Sequence, residues 1–288
     1  MKDIISDYQP EIVFHLAAQP LVRLSYDIPA ETYATNVMGT IHIMEAIRSA
    51  KSVKVAIMIT TDKCYENKEQ LTGYKENDPF GGYDPYSSSK GACEIAIQSW
   101  RRSFFNPKDY GTKHNVSLAS VRAGNVVGGG DWALDRIIPD CIRSLESNVP
   151  IRIRSPRAIR PWEHVLEPLS GYLLLAQKMW NFPTYYCEGW NFGPESDSVS
   201  TVWDVATKLI THYDHGELID ISNPNEALHE ANLLMLDITK AKAKLGWKPR
   251  LNLDECIALT SDWYKKYNKQ DVYDLCIDQI HFFNILKK

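Results

Sequence analysis

The sequence has no Cys-x-x-Cys pair. Its six cysteines, Cys64, Cys93, Cys141, Cys187, Cys256 and Cys276, are scattered along 288 residues. That scatter argues against a zinc ribbon or a disulfide framework and leaves free thiols in a reducing compartment. His212 and His215 stand three apart on a predicted helix, but no second cluster completes a metal site. They are read as surface residues, and no metal is expected. No stretch approaches the ~18 apolar residues of a membrane span. The opening MKDIISDYQP lacks both the basic start and the apolar stretch of a secretory signal. A soluble cytoplasmic protein is the expectation. No block of lysine and arginine interrupts a net charge of −4, so a nucleic-acid partner is not expected. Internal repeats and low-complexity linkers are also absent. So is any G-x-x-G-x-x-G turn ahead of the first apolar run.

What is present is an alternation of short apolar runs with longer helical stretches. Glu11 to Leu16 (EIVFHL), Val53 to Ile59 (VKVAIMI) and Val116 to Val121 (VSLASV) read as buried strands. Between them, Ala30 to Ala50 carries Tyr33, Val37, Ile41, Met44 and Ile47 at helical spacing, and Tyr86 to Phe105 reads as a second helix. Strands joined by crossovers of this length are parallel, which predicts an α/β fold with a doubly wound, Rossmann-like sheet. Further helices are expected over Asp135–Ser147, Leu166–Trp180 and Leu253–Tyr267, with strands at Ile151–Arg154 and Gly189–Phe192 and a strand pair after Ser200. The expected division is a sheet domain over residues 1–125 and about 165–195. A smaller mixed α/β lobe takes about 126–164 and 196–288.

In open parallel sheets, ligands lie at the carboxyl ends of the strands. After the first strand come Ala17, Ala18 and Gln19, small enough at the alanines for a flat ligand to approach closely. After the second come Thr60, Thr61, Asp62 and Lys63, offering hydroxyls, an acid and an amine in succession. At the next helix start, Tyr86 and Lys90 are four apart and so share a face. An ammonium there favours the phenolate over a phenol whose ordinary pKa is ~10. By itself Tyr-x-x-x-Lys is an ordinary exposed pair. Following a strand that ends in a hydroxyl, it becomes a base set for hydride transfer from a sugar carbon, with Thr61 orienting the substrate hydroxyl.

The order of His15–Gln19, Asn36-Val37-Met38-Gly39-Thr40, Thr61-Asp62-Lys63, Tyr86–Lys90, Arg122-Ala123-Gly124-Asn125, Arg160-Pro161-Trp162 and Leu245-Gly246-Trp247 resembles the extended short-chain dehydrogenases. HLAAQPLVRLSY, GGYDPYSSSKG and RAGNVVGGGDW resemble the CDP-glucose 4,6-dehydratase branch, as does Asp-Lys after the threonine where the dTDP branch carries Asp-Glu. The resemblance implies NAD as cofactor and a nucleotide sugar as substrate, with dehydration at C5 and C6 after oxidation at C4. Tyr86 takes the 4-hydroxyl proton, Asp62 protonates the departing hydroxyl, and Lys63 stands at the place of the C5 base. The residues it implies around the cofactor are Ala17, Ala18, Gln19, Asn36, Tyr86, Lys90 and Ala123. Around the substrate they are Thr61, Asn125, Arg136 and Arg160, the arginines suiting a diphosphate. Asn36 is expected chiefly to support the loop. Asp62 has to be neutral to act as an acid, against an ordinary value of ~3.9, so an ion pair with Lys63 would oppose both roles. Strand alternation would point the two apart, or Lys63 could stay charged and stabilise an enolate instead; the sequence leaves both open. A homodimer through the helices at 30–50 and 86–105 is also implied. Without a glycine-rich turn, the chain is expected to lack the family's first strands, to bind NAD weakly and to leave Glu11–Leu16 as a bare sheet edge. Two other readings stand beside this one: a nucleotide-sugar epimerase, which shares the Thr/Tyr/Lys set but needs no adjacent acid, and a non-catalytic binding module on the same fold.

Overall fold

The computed structural model describes residues 1–70, 72–195, 199–223 and 233–286. Four strands, β1 (Ile12–His15), β2 (Val55–Ile59), β3 (Ser117–Ala123) and β7 (Gly189–Phe192), form one sheet in the order β1-β2-β3-β7. Every neighbouring pair is parallel, with Ile12 beside Val55, Val55 beside Ser117, and Ser120 beside Gly189. A parallel sheet is covered on both faces, which is why β2 reads as an unbroken apolar run rather than an alternation. Parallel strands also bring their carboxyl ends to one edge of the sheet. The segments after His15, Ile59 and Ala123 therefore gather there, and that topology positions the site.

Helices α1 (Lys2–Tyr8), α2 (Val22–Asp27), α3 (Pro29–Tyr33), α4 (Gly39–Ser49) and α5 (Pro85–Ser103) accompany this sheet. Ile43, Met44 and Ile47 of α4 and Cys93 and Ile97 of α5 pack with Ala56 and Met58 of β2 and Leu118 of β3 in one apolar cluster. The helix expected over 30–50 runs from Pro29 to Ser49 as α3 and α4 joined by a π turn at Ala34–Met38, which the spacing did not foresee. Its wider winding accompanies a tertiary engagement of Asn36 that periodicity does not register. α5 begins at Pro85 because Asp84 caps it, accepting from the Ser87 amide at 2.9 Å and the Ser87 hydroxyl at 2.6 Å.

Two compact units divide the chain: Met1–Ala123, Ser170–Phe192 and Leu236–Trp247 make the first, and Gly124–Leu169, Gly193–Met235 and Lys248–Lys288 the second. The expected division did not foresee that 236–247 returns to the first unit, where the Lys240 amine meets the Gly189 carbonyl at 2.7 Å. The expected lobe boundary at residue 196 lies outside the described residues. In the second unit, β4 (Asn125–Val127), β6 (Ile159–His164) and β8 (Val199–Thr201) form a mixed sheet, and β5 (Ile151–Ile153) pairs in parallel with β9 (Leu218–Asp220). The strand pair expected after Ser200 is thus two strands that each join an earlier partner. Helices α6 (Ile137–Glu146), α8 (Val202–Tyr213), α9 (Leu253–Lys266) and α10 (Val272–Ile285) contribute Ile142, Leu209, Ile257 and Leu275 to a second apolar cluster. The helix α7 (Leu166–Asn181) leads into β7.

Candidate active site

Two segments at the carboxyl edge of the first sheet carry the predicted catalytic groups. After β2, Thr60 and Thr61 lead into a 3₁₀ turn at Asp62–Cys64, whose cap is the Thr61 hydroxyl accepting from the Lys63 amide at 3.4 Å. Tyr86 and Lys90 lie on the first turns of α5, with relative exposures of 7% and 5%. α5 approaches the turn closely at Gly91: a Cβ there would lie 2.4 Å from the Gly81 carbonyl oxygen and 3.2 Å from that of Cys64. Only glycine fits without a shift of backbone.

Asp62 is fully buried, yet one of its carboxylate oxygens, Oδ2, has no hydrogen-bond partner among the described residues. The other, Oδ1, accepts from the Thr61 hydroxyl at 2.9 Å and from the Lys63 ammonium at 3.0 Å. The alternative in which Asp62 and Lys63 point apart is overturned. They sit on a tight turn rather than a strand, so alternation does not apply and the two side chains meet as an ion pair.

Lys90 is a buried ammonium whose one hydrogen bond among the described residues, to the Ile59 carbonyl, is 3.4 Å long. Burial holds its pKa below the ordinary lysine value, with Cys93, Glu94 and Cys64 opposing. His15, the last residue of β1, lies 3.3 Å from the Thr40 hydroxyl. Burial first and the nearby Lys90 charge second keep its imidazole below the usual value. A cation with hydrogen-bonding capacity left over inside the protein calls for an oxygen-rich ligand.

Asn36 ties the loop after β1 to the start of α5. Its Oδ1 accepts from the Gln19 amide at 2.8 Å, and its Nδ2 donates to the Gln19 carbonyl at 3.1 Å and to the Ser89 hydroxyl at 2.9 Å. It is 1% exposed, and these are contacts of support. Gln19 in turn spends its side chain on Thr32 and Leu21. Ala17 is exposed and Ala18 half-buried in the loop after β1, and Ala123 closes β3.

The expected substrate residues belong to the second unit. Asn125 opens β4 opposite Trp162. Arg160, on β6, is buried and donates to the Ile159 carbonyl at 2.9 Å. Arg136 pairs with Asp131 at 2.7 Å, so its charge already has a carboxylate partner.

Sequence reasoning missed the polar network beneath the site. Glu94 is completely buried, and Arg122 meets it in a two-pronged ion pair at 2.8 and 2.9 Å. Thr60 and Ser120 donate to the same carboxylate at 2.6 and 2.8 Å. Glu94 continues the face of Tyr86 and Lys90 by one more turn, the signal that could have found it. This arrangement offers a buried phenol, an under-satisfied ammonium and an acid–amine pair around one end of a parallel sheet, as proton transfer coupled to hydride chemistry requires.

The family described as GDP-mannose 4,6 dehydratase matches residues 1–260. A CDP-glucose 4,6-dehydratase of Salmonella typhimurium is 50% identical over 278 residues, covering 96% of this chain and 76% of the relative. A dTDP-glucose 4,6-dehydratase of Haemophilus influenzae is 24% identical over 278 residues, covering 92% of this chain and 79% of the relative. Among solved structures, a dTDP-glucose 4,6-dehydratase from Bacillus anthracis in complex with NAD superposes with a TM-score of 0.75 at 19% identity, over 95% of this chain and 78% of the other. A UDP-glucuronic acid 4-epimerase from Bacillus cereus in complex with UDP-glucuronic acid and NAD gives 0.76 at 19%, over 92% and 78%. At such identities the structural likeness shows the fold.

Proposed function

Because the chain belongs to the GDP-mannose 4,6 dehydratase family of nucleotide-sugar enzymes, we propose that it is a CDP-glucose 4,6-dehydratase that works with NAD in the cytoplasm. The observation that carries this reading is half identity with a CDP-glucose 4,6-dehydratase over nearly the whole chain. Asp62 and Lys63 beside Thr61 favour it over an epimerase, which has no leaving hydroxyl to protonate.

The residues fit the nicotinamide-ribose half of NAD: Lys90 has donors to spare for a diol, and the loop that Asn36 holds offers small alanines. When bound, NAD⁺ supplies a hydride acceptor that later returns the hydride. The rest falls to the protein. Thr61 orients the sugar 4-hydroxyl, and Tyr86 takes its proton, with the Lys90 charge stabilising the phenolate. The ketone at C4 acidifies the C5 proton. Lys63 and Asp62, which meet at 3.0 Å, are assigned as the base and acid of the elimination, roles that need them as amine and carboxylic acid. In that form Lys63 takes the C5 proton and Asp62 protonates the departing 6-hydroxyl as water. The elimination leaves Lys63 as ammonium and Asp62 as carboxylate; Lys63 then gives a proton back to C5 as C6 is reduced, and the proton held by Tyr86 restores Asp62. The buried Oδ2 of Asp62, without a hydrogen-bond partner among the described residues, is the oxygen assigned to the leaving hydroxyl. Asn125 and Arg160 are assigned to the substrate diphosphate, with Arg136 a lesser contributor because Asp131 shares it. The exposed Met38 of the π turn, the exposed Ile95 of α5 and the exposed Phe104 just after it favour self-association through residues 30–50 and 86–105.

Incubation with CDP-glucose and NAD⁺ tests the reading. At NAD⁺ concentrations high enough to offset the weak binding expected without a glycine-rich turn, formation of a 4-ketosugar, seen by its absorbance in alkali, is the expected result. A hexose product without that band would point to an epimerase, and equal or faster turnover of dTDP-glucose would refute the assigned substrate.

A further inference from the structure

The Thr61–Lys63 turn is bracketed by Thr60 on one side and Tyr65 on the other. Both flanks are held by one buried ion pair. The Thr60 hydroxyl donates to Glu94 Oε1 at 2.6 Å, and Arg122 Nη1 donates to the Tyr65 hydroxyl at 2.6 Å. Glu94 and Arg122 are joined through both guanidinium prongs. Tyr65 passes the chain on to Asn191 Oδ1 at 2.8 Å, at the carboxyl end of β7. Glu94 belongs to α5, the helix that carries Tyr86 and Lys90 on the same face. Burial pushes the Glu94 carboxyl up, but the Arg122 charge and the hydrogen bonds from Arg122, Thr60 and Ser120 more than offset this and hold it below its usual value. Packing leaves room for the fork at Gly189, where a Cβ would lie 2.5 Å from Arg122 Nη2.

A buried ion pair is no sure source of stability, since desolvation cancels much of its attraction. What this one does have is geometry: two prongs, two flanks of the reacting turn and one helix, all in fixed register. We propose that Glu94 and Arg122 are positioning residues, which hold Thr61, Asp62 and Lys63 against Tyr86 and Lys90 while touching no reacting atom themselves. This rests on the dehydratase reading above.

The test is the double variant Glu94→Gln/Arg122→Met, which removes both charges together and keeps an acceptor for Thr60. A misplacement of about an ångström in the turn costs on the order of 100-fold in rate. The expected result is therefore a kcat for CDP-glucose lowered about 100-fold with KM within about threefold of the parent. Amide hydrogen exchange should quicken in residues 60–65 and 85–91 and stay unchanged elsewhere. The variant Gly189→Ala, which displaces the guanidinium while leaving both partners in place, should give the same split with a smaller fall, and it decides the matter should the double variant not fold. A kcat within about threefold of the parent would overturn the proposal, as would kcat and KM worsening together with faster exchange throughout. If the parent itself does not turn over CDP-glucose, the assigned function fails separately, and exchange alone decides: acceleration confined to the two segments supports positioning, and its absence refutes it.

Discussion

Replacing Asp62 with Asn separates the chemistry of the site from its stability. The substitution is nearly isosteric. The Thr61 hydroxyl keeps an oxygen to donate to at the place of the present 2.9 Å contact, and a buried unpartnered Oδ2 becomes a buried amide of similar cost. What is lost is the ion pair with Lys63, whose side chain is one quarter exposed. Discounted for that exposure, the loss amounts to about 1 kcal/mol. In a chain of this size it lowers Tm by about 2–4 °C. Loss of a general acid costs far more in rate, about 10²–10⁴-fold, which is about 3–5 kcal/mol in the barrier. The variant is therefore expected to remain folded, to reduce bound NAD⁺ on mixing with CDP-glucose at close to the parental rate, and to stall before loss of water. Tyr86→Phe is expected to fail earlier, with no NADH formed. Single-turnover absorbance of the nicotinamide, followed beside quenched product analysis, resolves the two steps. If Asp62→Asn abolishes NADH formation as fully as Tyr86→Phe, or yields ketosugar within about threefold of the parent, the division of roles is wrong.

If Arg160 holds the diphosphate as proposed, Arg160→Met removes a charge-assisted contact of about 1.5–3 kcal/mol. It should raise KM for CDP-glucose by about 10- to 150-fold with a smaller change in kcat, checked by steady-state kinetics. Gly91→Ala drives a methyl group into the Gly81 carbonyl. The expected cost is about 1–3 kcal/mol of stability, visible as a lower midpoint in urea, with a fall in kcat because the helix and the turn are pushed apart. His164 is buried, and burial pushes its pKa down to about 4 from 6.5. The unfolded chain therefore binds the extra proton first on acidification. The stability associated with a neutral His164 is present above pH ~6.5 and lost as pH falls towards ~4, a difference of about 3 kcal/mol. His164→Asn keeps an acceptor for the Leu166 amide and should flatten Tm against pH across that window. An unchanged slope would show that other groups carry the acid sensitivity.

The local chemistry of the chain was largely determined by its sequence. Apolar runs set β1, β2 and β3, and three parallel strands bring their carboxyl ends to one edge. That topology selects Thr61, Asp62 and Lys63 for attention, and helical spacing puts Tyr86 and Lys90 on one face. Asp84-Pro85 sets where α5 starts, and so where Tyr86 stands. Tertiary structure decided the rest, because its causes lie far apart in sequence. The helix expected over 30–50 widens into a π turn where Asn36 reaches Gln19, 17 residues away, and Ser89, 53 away. Asp62 and Lys63 meet because the chain turns immediately after β2, a matter of backbone path that residue alternation does not encode. Glu94 and Arg122 read in the sequence as an ordinary helix acid and a strand arginine. Only packing with water excluded makes them a two-pronged pair, and only β3 lying beside β2 brings that pair to both flanks of the reacting turn.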